Sequence, residues 1–148
     1  MAIARAALAL AMSAALLILG ASNATAGDQE TIKYRQMIMK QLEAEATVLG
    51  MIVSGQIPPD ALGAEARSIA NAAKVALKAF EPNVPGGEAK PAVWTKWDDF
   101  SQRMQAFAQK SEELAKVADT GNVAQVTEMM VDALSCKDCH DLYRDKKK

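Results

Sequence analysis

The chain has 148 residues, a formal net charge of −1 at pH 7 and a hydrophobic share of 50%. This length fits one ordinary domain. The nearly balanced charge argues against the concentrated basic surface that nucleic-acid binding requires, so no nucleic-acid partner is expected. Lys146, Lys147 and Lys148 form too short a basic run to change that expectation, and we interpret them as a solvated tail.

Residues 1–26 have the pattern of a secretory signal peptide. They carry one charge, Arg5, then an apolar run from Ala6 to Leu19 and the small-residue exit Ala24-Thr25-Ala26. The alternative is a transmembrane anchor, but the run is shorter than the roughly 20 residues that span a bilayer. We therefore predict an exported, periplasmic protein formed by residues 27–148, without stable membrane insertion.

Two amphipathic segments occupy the first half of the mature chain. The first runs from Asp28 to about Val53, and the second from about Asp60 to Ala79, before the proline- and glycine-rich stretch 82–87. Apolar residues at steps of three and four predict helices packed against near-parallel neighbours. The first seam holds Ile32, Arg35, Met39, Leu42, Ala46, Leu49 and Val53, and the second holds Leu62, Ala66, Ile69, Ala73, Ala76 and Phe80.

Two further helical segments follow. The third begins at Pro91 or Thr95 and runs to about Asp119, and the fourth runs from about Asn122 to Tyr143, with Gly121 between them. Four such segments with mostly short links predict an all-α, up-down-up-down four-helix bundle. The residues expected to face inward are Trp97, Phe100, Met104, Phe107, Leu114 and Ala118 in the third segment and Val123, Val126, Met130, Ala133 and His140 in the fourth.

A Cys-x-x-Cys-His motif at Cys136, Cys139 and His140 carries the chemistry. Two sulfurs three residues apart on a helix face the same side and can each bond one vinyl group of a haem, while the adjacent histidine supplies an imidazole nitrogen to the iron. The alanine-rich helices leave a lean core that a large bound group would fill. We therefore predict one covalent haem c, held by two thioether bonds with His140 as iron ligand.

Three other kinds of site use cysteines at this spacing, and each fits the sequence less well. A thioredoxin-like redox pair requires a βαβ setting, which the sequence does not show. A structural zinc site requires four ligands, and the chain has two cysteines and one histidine. A disulfide between Cys136 and Cys139 would close a very short loop, which constrains little of the chain, and would leave His140 unexplained.

Three stretches of the sequence carry a family resemblance: Ile32-Lys33-Tyr34-Arg35-Gln36 with Met39, Lys90-Pro91-Ala92-Val93-Trp94, and Cys136 to Arg144. With the motif on the last turns of the last of four helices, the mature chain resembles the cytochrome c′ family and its low-spin relatives such as cytochrome c-556. The resemblance implies two alternative roles for Met39. Low-spin members use a methionine here as the sixth iron ligand, whereas five-coordinate members place a bulky apolar residue here, in some an unligated methionine.

Met39 and two arginines complete the predicted site. Met39 lies on the inward stripe, where its thioether can bind the iron or simply pack, and we predict ligation. Arg35 also lies on the seam, where a charge is costly without a partner, so we predict that it binds a haem propionate. The alternative is that its head reaches solvent. The resemblance places Arg144 near the iron on the side of His140, with a surface ion pair as the alternative.

Two tryptophans and a second apolar stripe of the first segment have predicted roles in packing. Trp94 and Trp97 are predicted to be core residues and not electron relays. The second apolar stripe lies on the side of the first helix roughly opposite Met39. Contacts that bury the Met39 side of the helix therefore cannot also bury this stripe. Because five-coordinate members of the family often dimerise through their first two helices, the resemblance implies a homodimer there, with coverage by the long loop as the alternative. The stripe consists of Met37, Ala44, Val48 and Met51.

Two functions remain open from the sequence. The first is an electron carrier with a six-coordinate haem, which binds redox partner proteins transiently through a small surface. The second is a five-coordinate haem protein that binds nitric oxide or carbon monoxide. An enzyme is not predicted, because His140 is the chain's only histidine and no second one is present to act as an acid or base.

Overall fold

The computed structural model describes residues 26–146, and six α-helices make up most of that range. The predicted signal peptide lies outside the described residues except for Ala26, where the first helix begins, and Lys147 and Lys148 also lie outside them. Within the described range, no helix has the length and apolar character needed to cross a membrane. The helices are α1 (Ala26–Val53), α2 (Leu62–Ala76), α3 (Ala92–Thr95), α4 (Trp97–Ala118), α5 (Val123–Ala133) and α6 (Cys136–Tyr143).

These helices form the predicted up-down bundle, with α1, α2, α4 and the α5–α6 pair as its four members. Two clusters of buried side chains show the alternation. The lower cluster joins the end of α1, the start of α2, the end of α4 and α5, through residues including Leu49, Leu62, Leu114 and Val126. The upper cluster joins the start of α1, the end of α2, the start of α4 and α6, and consists of Ile38, Ala76, Ala79, Phe80, Val93, Phe100, Met104 and Tyr143.

The predicted seams agree with the burial of the side chains. All six residues of the second seam are buried. In the first seam Ile32, Arg35 and Leu49 are buried, and the other four are half-buried. The second stripe of α1 lies partly outside the core, since Met37 is 57% exposed. Ile38 and Ile52, which lie outside the predicted seam, are also buried, so α1 buries a wider face than the seam.

The third predicted helix is interrupted near its start. Pro91 precedes the one-turn helix α3, and Lys96 then leaves the helical conformation with φ −125° and ψ 43°. Lys96 N still donates to Ala92 O at 3.0 Å, and Phe100 N donates to Lys96 O at 3.0 Å, so the chain turns without losing its hydrogen bonds. The turn buries Val93 in the upper cluster.

The prediction of one continuous helix from Asn122 to Tyr143 is wrong. Leu134 (φ −109°, ψ 41°) and Ser135 (φ −71°, ψ 51°) separate α5 from α6. Serine is favoured at the position before a helix, so Ser135 suits a new start. The Cys-x-x-Cys-His motif therefore begins its own eight-residue helix instead of ending a long one. The break allows the axis of α6 to point in a different direction from that of α5.

Candidate haem site

The two cysteines of the motif lie one turn apart on α6. Cys136 is the exposed first residue of the helix, whereas Cys139 is half-buried and packs against the upper cluster. They form no disulfide, and desolvation raises the pKa of each thiol, so both are protonated at neutral pH before a haem is attached. Residues 26–146 contain no group of three or more His, Cys, Asp or Glu side chains placed to hold a metal ion.

His140 is half-buried next to Cys139. Desolvation by burial lowers the pKa of its imidazole, and the positive charge of Arg144 lowers it further, against an opposing effect of Glu43 on α1. The imidazole is therefore neutral at pH 7, which is the form that donates a lone pair to a metal.

Met39 lies at the same end of the bundle as the motif. It is half-buried on α1 and packs against the upper cluster, as Cys139 does from α6. The fold therefore brings the side chain from the first seam and the motif from the end of the chain to one apolar cluster. That the Met39 sulfur bonds iron stays a prediction.

Arg35 is buried, with 3% of its surface exposed, so the alternative of a head in solvent is wrong. Its Nη2 donates to Val84 O at 2.8 Å and to Gly86 O at 3.4 Å. Its guanidinium carbon lies 5.5 Å from the ring centre of Phe80 and 5.1 Å from that of Trp94. Burial lowers the pKa of Arg35, but the guanidinium stays charged.

The second terminal nitrogen of Arg35, Nη1, is buried without a hydrogen-bond partner. An unsatisfied donor on a buried cation is unfavourable, and such a group accepts an anionic oxygen readily. The side chain therefore fits a carboxylate-bearing group such as a haem propionate, while its other nitrogen keeps its bonds to the loop.

Trp94 lies on α3, Trp97 begins α4 and Arg144 follows α6. Arg144 is exposed, and its Nε lies 3.7 Å from a carboxylate oxygen of Glu88, so the alternative surface ion pair is present. Its backbone N donates to His140 O at 2.9 Å, so it follows the imidazole-bearing residue by one helical turn. Trp94 donates from Nε1 to Phe80 O at 3.0 Å, and Trp97 packs against the upper cluster.

Sequence reasoning missed the residue that fastens α6 to α4. Tyr143 is buried, its hydroxyl donates to the carboxylate of Asp99, and its ring meets the edge of Phe100 with 5.1 Å between ring centres. Asp99 also accepts from Arg103 at 2.7 Å. The signal was available, since Tyr143 lies three residues after His140 and α6 needs an apolar residue facing the bundle.

Comparisons with known proteins identify a family model and relatives that match most of the chain. The family model described as Cytochrome C′ matches residues 30–144. Cytochrome c′ of Alcaligenes xylosoxydans xylosoxydans is 32% identical over 80% of this chain and 96% of its own length. Cytochrome c-556 of Agrobacterium fabrum is 28% identical over 78% of this chain and 82% of its own length.

A solved structure agrees with this assignment. The ferrous variant of cytochrome c prime from Alcaligenes xylosoxidans with bound nitric oxide superposes with a TM-score of 0.75 and 31% identity. The match covers 81% of this chain and 97% of that one. Fold, motif and sequence identity agree over most of the described residues, and the chain belongs to the cytochrome c′ family.

Proposed function

We propose that this protein is a periplasmic electron carrier with haem attached at Cys136 and Cys139 and with His140 and Met39 as iron ligands. As a member of the cytochrome c′ family, the chain carries one covalent haem c. The observation that supports the ligand pair is that Met39 and Cys139 pack against the same cluster, one from α1 and one from α6. The two helices thus flank one site, with one candidate ligand on each.

The side chains of the site suit electron transfer. When bound, a haem supplies an iron that alternates between its ferric and ferrous forms. The neutral imidazole of His140 and the thioether of Met39 are ligands that raise the reduction potential, as does burial of the site. Catalysis is not part of the proposal, and redox partners would bind transiently at the edge near the exposed Cys136.

A second candidate function is gas binding, and the comparisons favour it. A relative 32% identical to this chain is named cytochrome c′, and one of the matching solved structures holds nitric oxide. In this alternative Met39 packs without bonding iron, and the open position binds nitric oxide or carbon monoxide. A homodimer through the first two helices would accompany it, and Met37 on α1 and Val75 on α2 are exposed at 57% and 40%.

The absorption spectrum of the purified holoprotein tests the choice between the two functions. We expect the oxidised protein to show the weak near-infrared band of methionine-ligated low-spin haem, because Met39 and Cys139 pack against the same cluster. The reduced protein should then bind carbon monoxide poorly. A high-spin oxidised spectrum with ready carbon monoxide binding would replace the carrier by the gas-binding protein.

Substitution of Arg35 by leucine tests its pairing with a propionate. We expect Arg35→Leu to lower the free energy of unfolding of the holoprotein by about 1–3 kcal/mol, because it removes the partner of a buried polar group. It should also shift the reduction potential, because the pairing puts the positive charge of Arg35 next to the haem and the variant removes that charge. Denaturant titration and redox titration measure the two effects.

The matched control for Arg35→Leu is Arg67→Leu. Arg67 pairs with Asp119 at the surface, with 55% of its side chain exposed, so its loss should change stability by no more than about 1 kcal/mol. It should leave the potential unchanged. Equal stability and equal potential in the two variants would contradict the propionate pairing.

A further inference from the structure

Residues 84–90, which we call the strap, cross from α1 to α6. At one end, Val84 O and Gly86 O accept from Arg35 of α1. The backbone here lies against α1, since a Cβ atom on Gly86 would be 2.7 Å from Ile32 Cδ1. A Cβ atom on Gly87, where φ is +66°, would be 3.1 Å from Gln36 Nε2 and from Ile32 Cγ2. Only glycine therefore allows this approach without displacement.

The other end of the strap is bonded to α6 and the residues after it. Lys90 N donates to Tyr143 O at 2.9 Å, and Asp145 N donates to Glu88 O at 2.8 Å. The ammonium group of Lys90 donates to Asp141 O at 2.9 Å. The strap thus connects the two helices that carry Met39 and His140. Direct packing of α1 against α6 is slight compared with its packing against α2, so the strap is a principal link between them.

We propose that the strap sets the separation between α1 and α6 and so decides whether the Met39 thioether reaches the iron opposite His140. The proposal rests on the ligand pair of the proposed function. A ligand must be held within about 0.5 Å of its productive position, so small displacements of one helix matter. Gly86 and Gly87 are then positioning residues, which act through α1 and do not touch the iron.

The test is Gly87→Ala in the holoprotein, with Gly55→Ala as its matched control. Both glycines have positive φ, +66° and +73°, so both substitutions carry the same kind of backbone strain. A Cβ atom on Gly55 meets nothing within 4 Å, and Gly55 follows the opposite end of α1. The two variants therefore share the strain, and only Gly87→Ala presses on α1 beside the site.

We expect Gly87→Ala to weaken the near-infrared methionine band and Gly55→Ala to keep it. Carbon monoxide should bind to reduced Gly87→Ala about tenfold faster than to Gly55→Ala. Because carbon monoxide binds only iron from which Met39 has dissociated, this ratio corresponds to a shift of about 1.4 kcal/mol in the equilibrium of Met39 coordination. A wild type with the band and two variants that behave alike would overturn the strap proposal and leave the carrier function intact.

A wild type without the band would instead overturn the methionine ligand. The strap is then judged on carbon monoxide alone. A faster rate in Gly87→Ala than in Gly55→Ala sustains its control over the approach of α1, and equal rates overturn it.

A second pair of variants covers the case in which Gly87→Ala does not fold. One glycine is inserted after Gly86 to lengthen the strap, and one is inserted after Gly55 as the control. The expected difference in band and rate is the same, because the insertion lets α1 move away from α6. Identical spectra and rates in the two insertion variants would also overturn the proposal.

Discussion

Replacement of both Cys136 and Cys139 by alanine is expected to abolish covalent haem attachment completely. Without the thiols no thioether bond can form, and the haem would be held only by ligation and packing. Acid–acetone should then extract all of the haem from the double variant and none from the wild type. A haem stain on a denaturing gel gives the same answer by a second method.

The structure provides reasons to expect that the double variant still folds. Cys136 is exposed, and Cys139 only half-buried, so truncation to alanine removes little from the core. Tyr143, bonded to Asp99, still fastens α6 to α4. Helical circular dichroism should therefore remain close to that of the wild type.

The adjacent Ser135 supplies the control for the cysteine variants. Ser135 precedes α6 and its side chain makes no capping hydrogen bond, so Ser135→Ala should retain haem that resists extraction. A colourless, folded wild type from a host able to attach haem would contradict the cytochrome assignment of these cysteines. So would haem that stays bound to the double variant under acid–acetone.

The helices could be predicted because their burial follows a local period. Leu62, Ala66 and Ile69 recur at helical spacing, and the structure buries each of them. The break at Ser135 could not be predicted in this way. No glycine or proline marks it, and the direction of α6 depends on tertiary contacts, in which Lys90 N donates to Tyr143 O and Glu88 O accepts from Asp145 N.

The candidate site could likewise be predicted only in part from the sequence. The Cys-x-x-Cys-His motif and the inward position of Met39 follow from spacing alone. The partners of Arg35 do not, since Val84 lies 49 residues away in a stretch that reads only as a loop. The pair Gly86-Gly87 was the available signal, because adjacent glycines indicate a backbone that approaches another element closely.

Substitution of Met39 by alanine is expected to convert the haem from six-coordinate to five-coordinate. The near-infrared methionine band should disappear and the reduction potential should fall, because the thioether stabilises the ferrous form. The reduced variant should also gain carbon monoxide binding, since the position opposite His140 is then open. Spectra, redox titration and carbon monoxide titration measure the three effects.

Two further variants separate ligation from packing. Met39→Leu keeps the volume of the side chain and removes the sulfur, so it should lose the band while stability changes by less than about 1.5 kcal/mol. Met37→Ala removes a methionine that is 57% exposed two residues away, so it should keep the band and the potential. Met37 shares the helix and the residue type with Met39, so Met37→Ala is the matched control.

The gas-binding function predicts different results for the same Met39 variants. If Met39 only packs, the wild type already lacks the band, and Met39→Leu leaves spectrum and potential as they were. Met39→Ala would then only speed the entry of carbon monoxide, because a smaller side chain clears the path to a position that was already open. The comparison of Met39→Leu with the wild type therefore decides between a carrier whose sulfur bonds iron and a gas-binding protein whose methionine only controls access.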